Sequence, residues 1–164
     1  MDAYLDIETT GLSWEDDEIT VIGLYLVDGN NARLVQLTGQ DVTRDNLSHA
    51  LKSVDTILTY NGTRFDLPFI EATLGLDLAS QFNHRDLMYD CWQCNLYGGL
   101  KLVEQQLGIS RKLKDIGGWD AVVLWQRYLD SGDGTALDTL LQYNKEDVVN
   151  LKTVRERVRA IRNR

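Results

Sequence analysis

Four acidic side chains stand at positions from which they could act together in a hydrolytic reaction. Asp6 and Glu8 are two residues apart in an alternating run, so both carboxylates project from one face of a predicted strand. Asp66 stands between a predicted strand and a predicted helix, and we expect it to cap that helix. Asp147 follows Tyr143 by four residues in a long helical pattern, so these two side chains share a helix face.

Carboxylates on a buried strand face are costly unless they are paired, protonated or bound to a cation. The first predicted strand contains no Lys or Arg that could pair with them. Oxygen ligands suit the hard cations Mg²⁺ and Mn²⁺. Two such ions about 3.5–4 Å apart suit an in-line displacement at phosphorus. The acids therefore predict a site for two divalent metal ions, Mg²⁺ or Mn²⁺.

The elements that hold these acids follow from the hydrophobic pattern. Three strands are predicted over 3–8, 19–28 and 32–37 as an antiparallel meander, and a short buried strand over 55–60. One helix is predicted to begin at Asp66, and the other predicted helices cover 43–52, 88–97, 100–107, 119–130 and 134–161. This order predicts a single α/β domain over residues 1–164, in which a central mixed sheet is flanked by helices.

Composition excludes several classes of protein. With 164 residues, 43% of them hydrophobic and 26% charged, the chain is typical of a globular domain and not of a disordered or fibrous protein. No apolar run approaches the roughly 20 residues that span a bilayer, and the first residues do not resemble a secretory signal. Two cysteines are too few for a disulfide scaffold. We therefore expect a cytoplasmic protein that does not enter a membrane.

The charge is unusual for a protein that binds nucleic acid. The chain has 17 Lys and Arg against 25 Asp and Glu, a net charge of −8. Two divalent ions would offset the four acids and leave a smaller net negative charge. The last predicted helix ends in basic residues that suit its C-terminal dipole and could also contact a nucleic acid or a protein partner. These residues are Lys152, Arg155, Arg157, Arg159, Arg162 and Arg164.

Taken together, three motifs resemble those of the DEDD 3′–5′ exonucleases, which have the ribonuclease H-like fold. The run from Asp6 to Leu12, Asp-Ile-Glu-Thr-Thr-Gly-Leu, is similar to the first motif of that family, and Asn61 to Asp66 is similar to the second. Tyr143-x3-Asp147 resembles the third motif of the tyrosine branch, called DEDDy. The histidine branch would have histidine where this chain has Gln142. The run from His84 to Leu87 and the helices after it resemble the YprB-like exonuclease-domain group.

The resemblance implies a role for each motif residue. The metal ligands would be Asp6, Glu8, Asp66 and Asp147. Tyr143 would orient the attacking water by a hydrogen bond. The substrate contacts would be Thr9, Gly11, Leu12, Asn61 and Phe65. The implied enzyme binds a single-stranded DNA or RNA 3′ end and, by a two-metal-ion mechanism, hydrolyses phosphodiester bonds to release nucleoside 5′-monophosphates.

Two other functions fit the same pattern. One is a structure-selective endonuclease or endoribonuclease on the same fold, although the Tyr143-x3-Asp147 spacing belongs to exonucleases. The other is a non-catalytic nucleic-acid-binding adaptor, although all four acids and the tyrosine are present.

Other chemistry-bearing residues favour packing roles. Cys91 and Cys94 have zinc-ligand spacing, but no second cysteine pair exists, so we expect core residues. Trp14, beside the first motif, could stack on a base, but we expect it to cover a loop. Trp119 and Trp125 are expected to pack in the interior, as is Trp92.

Overall fold

The computed structural model describes residues 1–163, and all five strands in that range form one mixed sheet. The strands are β1 (Asp2–Thr9), β2 (Ile19–Asp28), β3 (Asn31–Thr38), β4 (Thr56–Thr59) and β5 (Asn83–Asp86). Their order across the sheet is β3-β2-β1-β4-β5. The pairs β1–β2 and β2–β3 are antiparallel, whereas β1–β4 and β4–β5 are parallel. The predicted fold class, a meander extended by parallel strands, is confirmed.

Helices cover both faces of this sheet. They are α1 (Arg44–Ala50), α2 (Asp66–Leu74), α3 (Leu78–Gln81), α4 (Leu87–Trp92), α5 (Leu100–Gln106), α6 (Gly118–Ser131) and α7 (Gly134–Arg162). The first three pack against one face in the largest hydrophobic cluster. Helices α4, α6 and α7 pack against the other face.

Alternation along β1 decides which side chains meet which helices. Ala3, Leu5 and Ile7 point into the cluster formed with α1, α2 and α3. The intervening residues face the other side, where Tyr4 packs with residues of α4 and α7. Asp6 and Glu8 lie on that second face and are therefore directed towards α7.

Three short elements differ from the predictions. The four residues of β5, Asn-His-Arg-Asp, contain no apolar side chain, so hydrophobic alternation could not indicate a strand at this edge of the sheet. The four-residue helix α3 was likewise not predicted. The helix predicted over 88–97 instead ends at Trp92, and Asn95 beyond it has a left-handed backbone with φ of 59°.

The structure shows the surroundings of Cys91 and the apolar character of the helices. Cys91 is fully buried beside Val103 and Val154, which confirms its core role. Within residues 1–163, no helix combines the length and the apolar character needed to cross a membrane.

The basic end of α7 is partly neutralised by the protein itself. Arg155 pairs with Asp2 at the start of β1, and Arg162 lies 3.3 Å from a carboxylate oxygen of Asp90. Arg164 lies outside the described residues. The positive charge that this end could offer to a partner is therefore smaller than the sequence suggests.

Candidate active site

Strand β1 and helix α7 bring three of the predicted acids together. Carboxylate oxygens of Asp6, Glu8 and Asp147 all lie within 4.8 Å of one another. Glu8 and Asp147 are buried, as is Tyr143 one turn before Asp147. Acids from near the two ends of the chain thus form one cluster between the sheet and its longest helix.

Asp66 reaches the same region from the start of α2. Its Oδ1 atom accepts a hydrogen bond from the Ile7 backbone N–H at 3.1 Å, and the side chain is buried. The expectation that Asp66 caps α2 is wrong. Phe65 is the N-cap residue, and Asp66 is the first residue of the helix, whose carboxylate accepts from the Ile7 N–H instead. Its carboxylate turns towards β1 because the backbone donor between Asp6 and Glu8 is available there.

Burial raises the pKa of all four acids. It raises the pKa of Asp66 to about 7, and that of Asp147 to about 6 despite the opposing charge of Arg111. For Asp6 and Glu8, burial and then repulsion by Asp147 hold the pKa well above its usual range. The cluster is therefore a set of carboxylate oxygens, able to act as metal ligands, whose negative charge is only partly balanced by nearby cations. Such a donor set fits a divalent hard cation.

Asn144 fixes Asp6 and Glu8 and was missed by the sequence analysis. Its Nδ2 atom lies 3.3 Å from both Asp6 Oδ2 and the Asp6 carbonyl oxygen, and 3.4 Å from Glu8 Oε1. Gln36 Nε2 donates to Asn144 Oδ1 at 3.0 Å, which fixes the orientation of the amide. A Cβ atom at Gly23, opposite Asp6 in the sheet, would lie 2.1 Å from that oxygen. In the sequence, Gly23 inside a predicted strand was the one sign that another group packs closely against the strand at this position.

Arg111 is the cation that the first strand lacks. It pairs with Asp147, and its Nη1 atom lies 2.9 Å from Glu104 Oε2. Its Nε atom lies 3.7 Å from Glu146 Oε2, and the side chain is almost fully buried. Arg111 stands in the irregular segment between α5 and α6, where no pattern could have indicated this role.

The loop between β4 and α2 is held by Asp86 at the end of β5. The Asp86 carboxylate accepts hydrogen bonds from the backbone N–H groups of Asn61 at 2.8 Å, Thr63 at 3.0 Å and Met88 at 3.1 Å. Asn61 has a left-handed backbone with φ of 62°. Within the run from His84 to Leu87, Asp86 therefore holds the loop that leads into Asp66.

Two clefts share the acidic cluster as part of their walls. Asp6, Tyr143 and Asp147 line both of them, one of about 660 Å³ and one of about 670 Å³. The second cleft runs past Lys101 and a turn that contains two glycines. The first cleft brings together all the predicted substrate contacts, which are Thr9, Gly11, Leu12, Asn61 and Phe65.

Tyr143 lies where the two clefts meet. Lys101 Nζ is 4.8 Å from the centre of its ring, and the Arg111 guanidinium carbon is 5.5 Å from it. Burial, followed by the negative charge of Asp147, raises the pKa of Tyr143. The phenol therefore stays protonated near neutral pH and is suited to orient a ligand rather than to remove a proton.

The packing prediction for tryptophan holds at one position and fails at another. Trp125 is buried against the sheet. Trp119 is 75% exposed, and it lines the first cleft. It is the second residue of α6.

Comparisons with known proteins agree with the fold. A family profile described as RNase_H superfamily matches residues 3–159. No curated protein matches the chain. A solved structure described as the apo form of the nuclease has a TM-score of 0.65 and 21% identity, over 97% of this chain and 72% of that one.

Two further solved structures are similar to the chain. Brucella melitensis NrnC bound to pGG has a TM-score of 0.54 and 20% identity, over 97% of this chain and 83% of NrnC. The family B DNA polymerase from the hyperthermophilic archaeon Pyrobaculum calidifontis has a TM-score of 0.68 and 17% identity. That match covers 90% of this chain but only 23% of the polymerase.

Proposed function

Because the chain belongs to the RNase H superfamily, we propose that it is a metal-dependent 3′–5′ exonuclease of the DEDDy type, in the YprB-like group. Its substrate is the 3′ end of single-stranded DNA or RNA, and its products are nucleoside 5′-monophosphates. One observation carries this proposal: three acids from two elements converge beside Tyr143, and two of them, Asp6 and Asp147, line both clefts.

The acids would hold two divalent ions, Mg²⁺ or Mn²⁺. Asp6, Glu8 and Asp147 offer one close group of oxygens, and Asp66 lines the same cleft. When bound, such ions supply positive charge that activates a water molecule and stabilises the leaving oxygen. The raised pKa values favour this role because a cation relieves the cost of four charged carboxylates in a buried place.

The chain's own groups position the reactants. Tyr143, protonated and fixed by packing, orients the attacking water by a hydrogen bond from the junction of the clefts. Asn144 keeps the carboxylates of Asp6 and Glu8 at a constant spacing. Thr9, Gly11 and Leu12 lie along the first cleft, where they contact the terminal nucleotide.

The similar structures support the proposed ligand classes. Brucella melitensis NrnC has been solved with bound pGG and, separately, with bound Mg²⁺. We propose the same classes of ligand, an oligonucleotide and a divalent cation, for this chain. We further propose that residues 1–164 act as one domain in the cytoplasm, and that the basic end of α7 contacts a protein partner or the strand.

A cleavage assay tests the function. Matched single-stranded DNA and RNA oligonucleotides, labelled at the 5′ end, are incubated with Mg²⁺, Mn²⁺ or EDTA. We expect a metal-dependent ladder that shortens from the 3′ end and is absent with Asp6→Asn. Asp138→Asn is the matched control because Asp138 is exposed on α7. Tyr143→Phe should lower kcat by about 10²-fold with little change in binding.

Other outcomes would change the function assigned. Internal cuts would indicate an endonuclease. Binding without cleavage under either metal would indicate a non-catalytic adaptor. Activity that persists in Asp6→Asn would contradict the proposed site.

A further inference from the structure

An exposed tryptophan and an exposed leucine line the cleft that contains the acids. Trp119 is 75% exposed and Leu12 is 84% exposed, and both belong to the lining of the 660 Å³ cleft. They come from different parts of the chain, since Leu12 follows β1 and Trp119 opens α6. Large apolar side chains left open to solvent in a concave site are a common sign of a binding surface. None of the described contacts inside the protein accounts for the position of Trp119.

The residue before Trp119 leaves space in the same cleft. Gly118 lines both clefts, and a Cβ atom built on it would meet no heavy atom within 4 Å. Its φ is not positive, so the backbone does not require glycine at this position. A larger side chain at 118 would extend into open space.

The chemistry at the base of the cleft restricts what can lie against Trp119. Asp6, Asp66 and Asp147 line the same space, and their oxygens suit a cation that binds a phosphodiester. If the phosphate of a nucleotide lies at these acids, its sugar and its base are the parts that extend farther along the cleft. The volume lies within the range of about 300–1,000 Å³ for sites that enclose small molecules, so one nucleotide fits.

We propose that Trp119 stacks on the nucleobase of the 3′-terminal nucleotide. The inference rests on the proposed exonuclease function and adds a specificity-determining residue that lies outside the three sequence motifs. Every base has an apolar face, so stacking tolerates any sequence and does not distinguish ribose from deoxyribose. A base that occupies the cleft must leave its pairing partner. The site therefore selects unpaired 3′ ends rather than particular bases.

A substrate lacking one base tests this inference. Two single-stranded oligonucleotides are compared, identical except that one carries an abasic 3′-terminal nucleotide. Trp119→Ala should reduce kcat/KM on the normal strand by about 5- to 100-fold, and Trp119→Phe should restore most of it. On the abasic strand, the wild-type enzyme and Trp119→Ala should differ by less than about twofold, because no base remains to stack.

The control and a binding measurement complete the test. Trp14→Ala removes another partly exposed tryptophan that lines neither cleft, and its activity should match the wild type on both strands. With Mg²⁺ present, an oligonucleotide should quench tryptophan fluorescence of the inactive Asp6→Asn protein and should quench the Asp6→Asn/Trp119→Phe protein much less.

The outcomes separate the inference from the function on which it rests. An equal loss on both strands in Trp119→Ala, or quenching that persists in the Trp119→Phe background, would overturn the stacking role and leave the exonuclease intact. A wild-type protein that neither cleaves nor binds either strand would overturn both.

Discussion

Asn144 sets the distance between the carboxylates of Asp6 and Glu8, two of the candidate metal ligands. Its amide donates to Asp6 and Glu8 and is itself oriented by Gln36. Because it is neutral, Asn144 spaces the two carboxylates without neutralising them, and the charge remains available to a cation. A buried amide with this many partners also stabilises the fold, since its removal leaves several groups unpaired.

We predict that Asn144→Ala loses both activity and stability. The activity should fall by about 10- to 100-fold, as is usual when a group that orients metal ligands is removed. The free energy of unfolding should fall by about 1–3 kcal/mol because Gln36 and Asp6 lose a partner. Urea denaturation and initial cleavage rates measure the two effects.

A second substitution tests the contact itself. Gly23→Ala places a methyl group 2.1 Å from the Asn144 side-chain oxygen and should destabilise the protein. Combining Gly23→Ala with Asn144→Ala removes that collision, so the double variant should be more stable than the sum of the single effects predicts. Additive losses would contradict the packing described here.

Arg111 compensates part of the charge of the acids, and its loss should be severe. We predict that Arg111→Gln lowers the free energy of unfolding by about 3–5 kcal/mol, because Glu104, Glu146 and Asp147 then lose the cation that contacts all three. Arg127→Gln, on the exposed side of α6, should be close to neutral. Equal effects of the two substitutions in chemical denaturation would rule out this role for Arg111.

At the scale of the elements, the edge strand β5 acts through the loop that it holds. Its last residue, Asp86, accepts three backbone N–H groups, two of them from the loop that precedes Asp66. Strand β5 adds almost no apolar surface of its own. Its contribution is therefore the position of the loop rather than burial in the core.

We predict that Asp86→Ala loosens this loop. The free energy of unfolding should fall by about 1–3 kcal/mol, because buried N–H groups lose their acceptor. Amide exchange at Asn61 and Thr63 should become faster than in the wild type. Asp77→Ala removes the cap of α3 away from the site and should leave these amides and the cleavage rate unchanged. Protection retained at both loop amides would contradict the role of Asp86.

The elements also show what the sequence could and could not predict. Strands β1 to β4 and the long helix α7 follow apolar periodicity, so their existence and the shared faces of Asp6 with Glu8 and of Tyr143 with Asp147 could be predicted. Strand β5 could not, because its residues are polar and its pairing with β4 alone defines it. Arg111 could not either, because only the tertiary fold brings the loop before α6 to Asp147.

Across the whole molecule, the net charge of −8 is distributed in a way that matters for stability. Much of the acidic excess lies on the surface, where water screens it. The four acids of the site are different, because each has a pKa above its ordinary value of about 4. A group with a raised pKa in the folded state stabilises the fold below its unfolded pKa, and this contribution is lost as the pH rises through the folded value.

We predict that the site destabilises the metal-free protein at neutral pH. In EDTA, the contribution of the acids should fall between pH 4 and pH 7, since Asp147 titrates at about 6 and Asp66 at about 7. Asp6→Asn removes one of the repelling charges, so its Tm relative to the wild type should rise from pH 5 to pH 8.

Divalent cations should reverse the order of the two Tm values, so that the wild type becomes more stable than Asp6→Asn. At pH 8, Mg²⁺ or Mn²⁺ should raise the Tm of the wild type more than that of Asp6→Asn, because binding to the folded state stabilises it in proportion to affinity. Thermal scans at both pH values, with and without metal, measure the four differences. A Tm difference that is independent of pH, together with equal shifts by metal in both proteins, would mean that the acids do not act as one cation site. In that case the negative charge of the carboxylates would be balanced by groups of the protein itself and not by a bound metal ion. Arg111, which is buried and pairs with Asp147, is the group in position to do so.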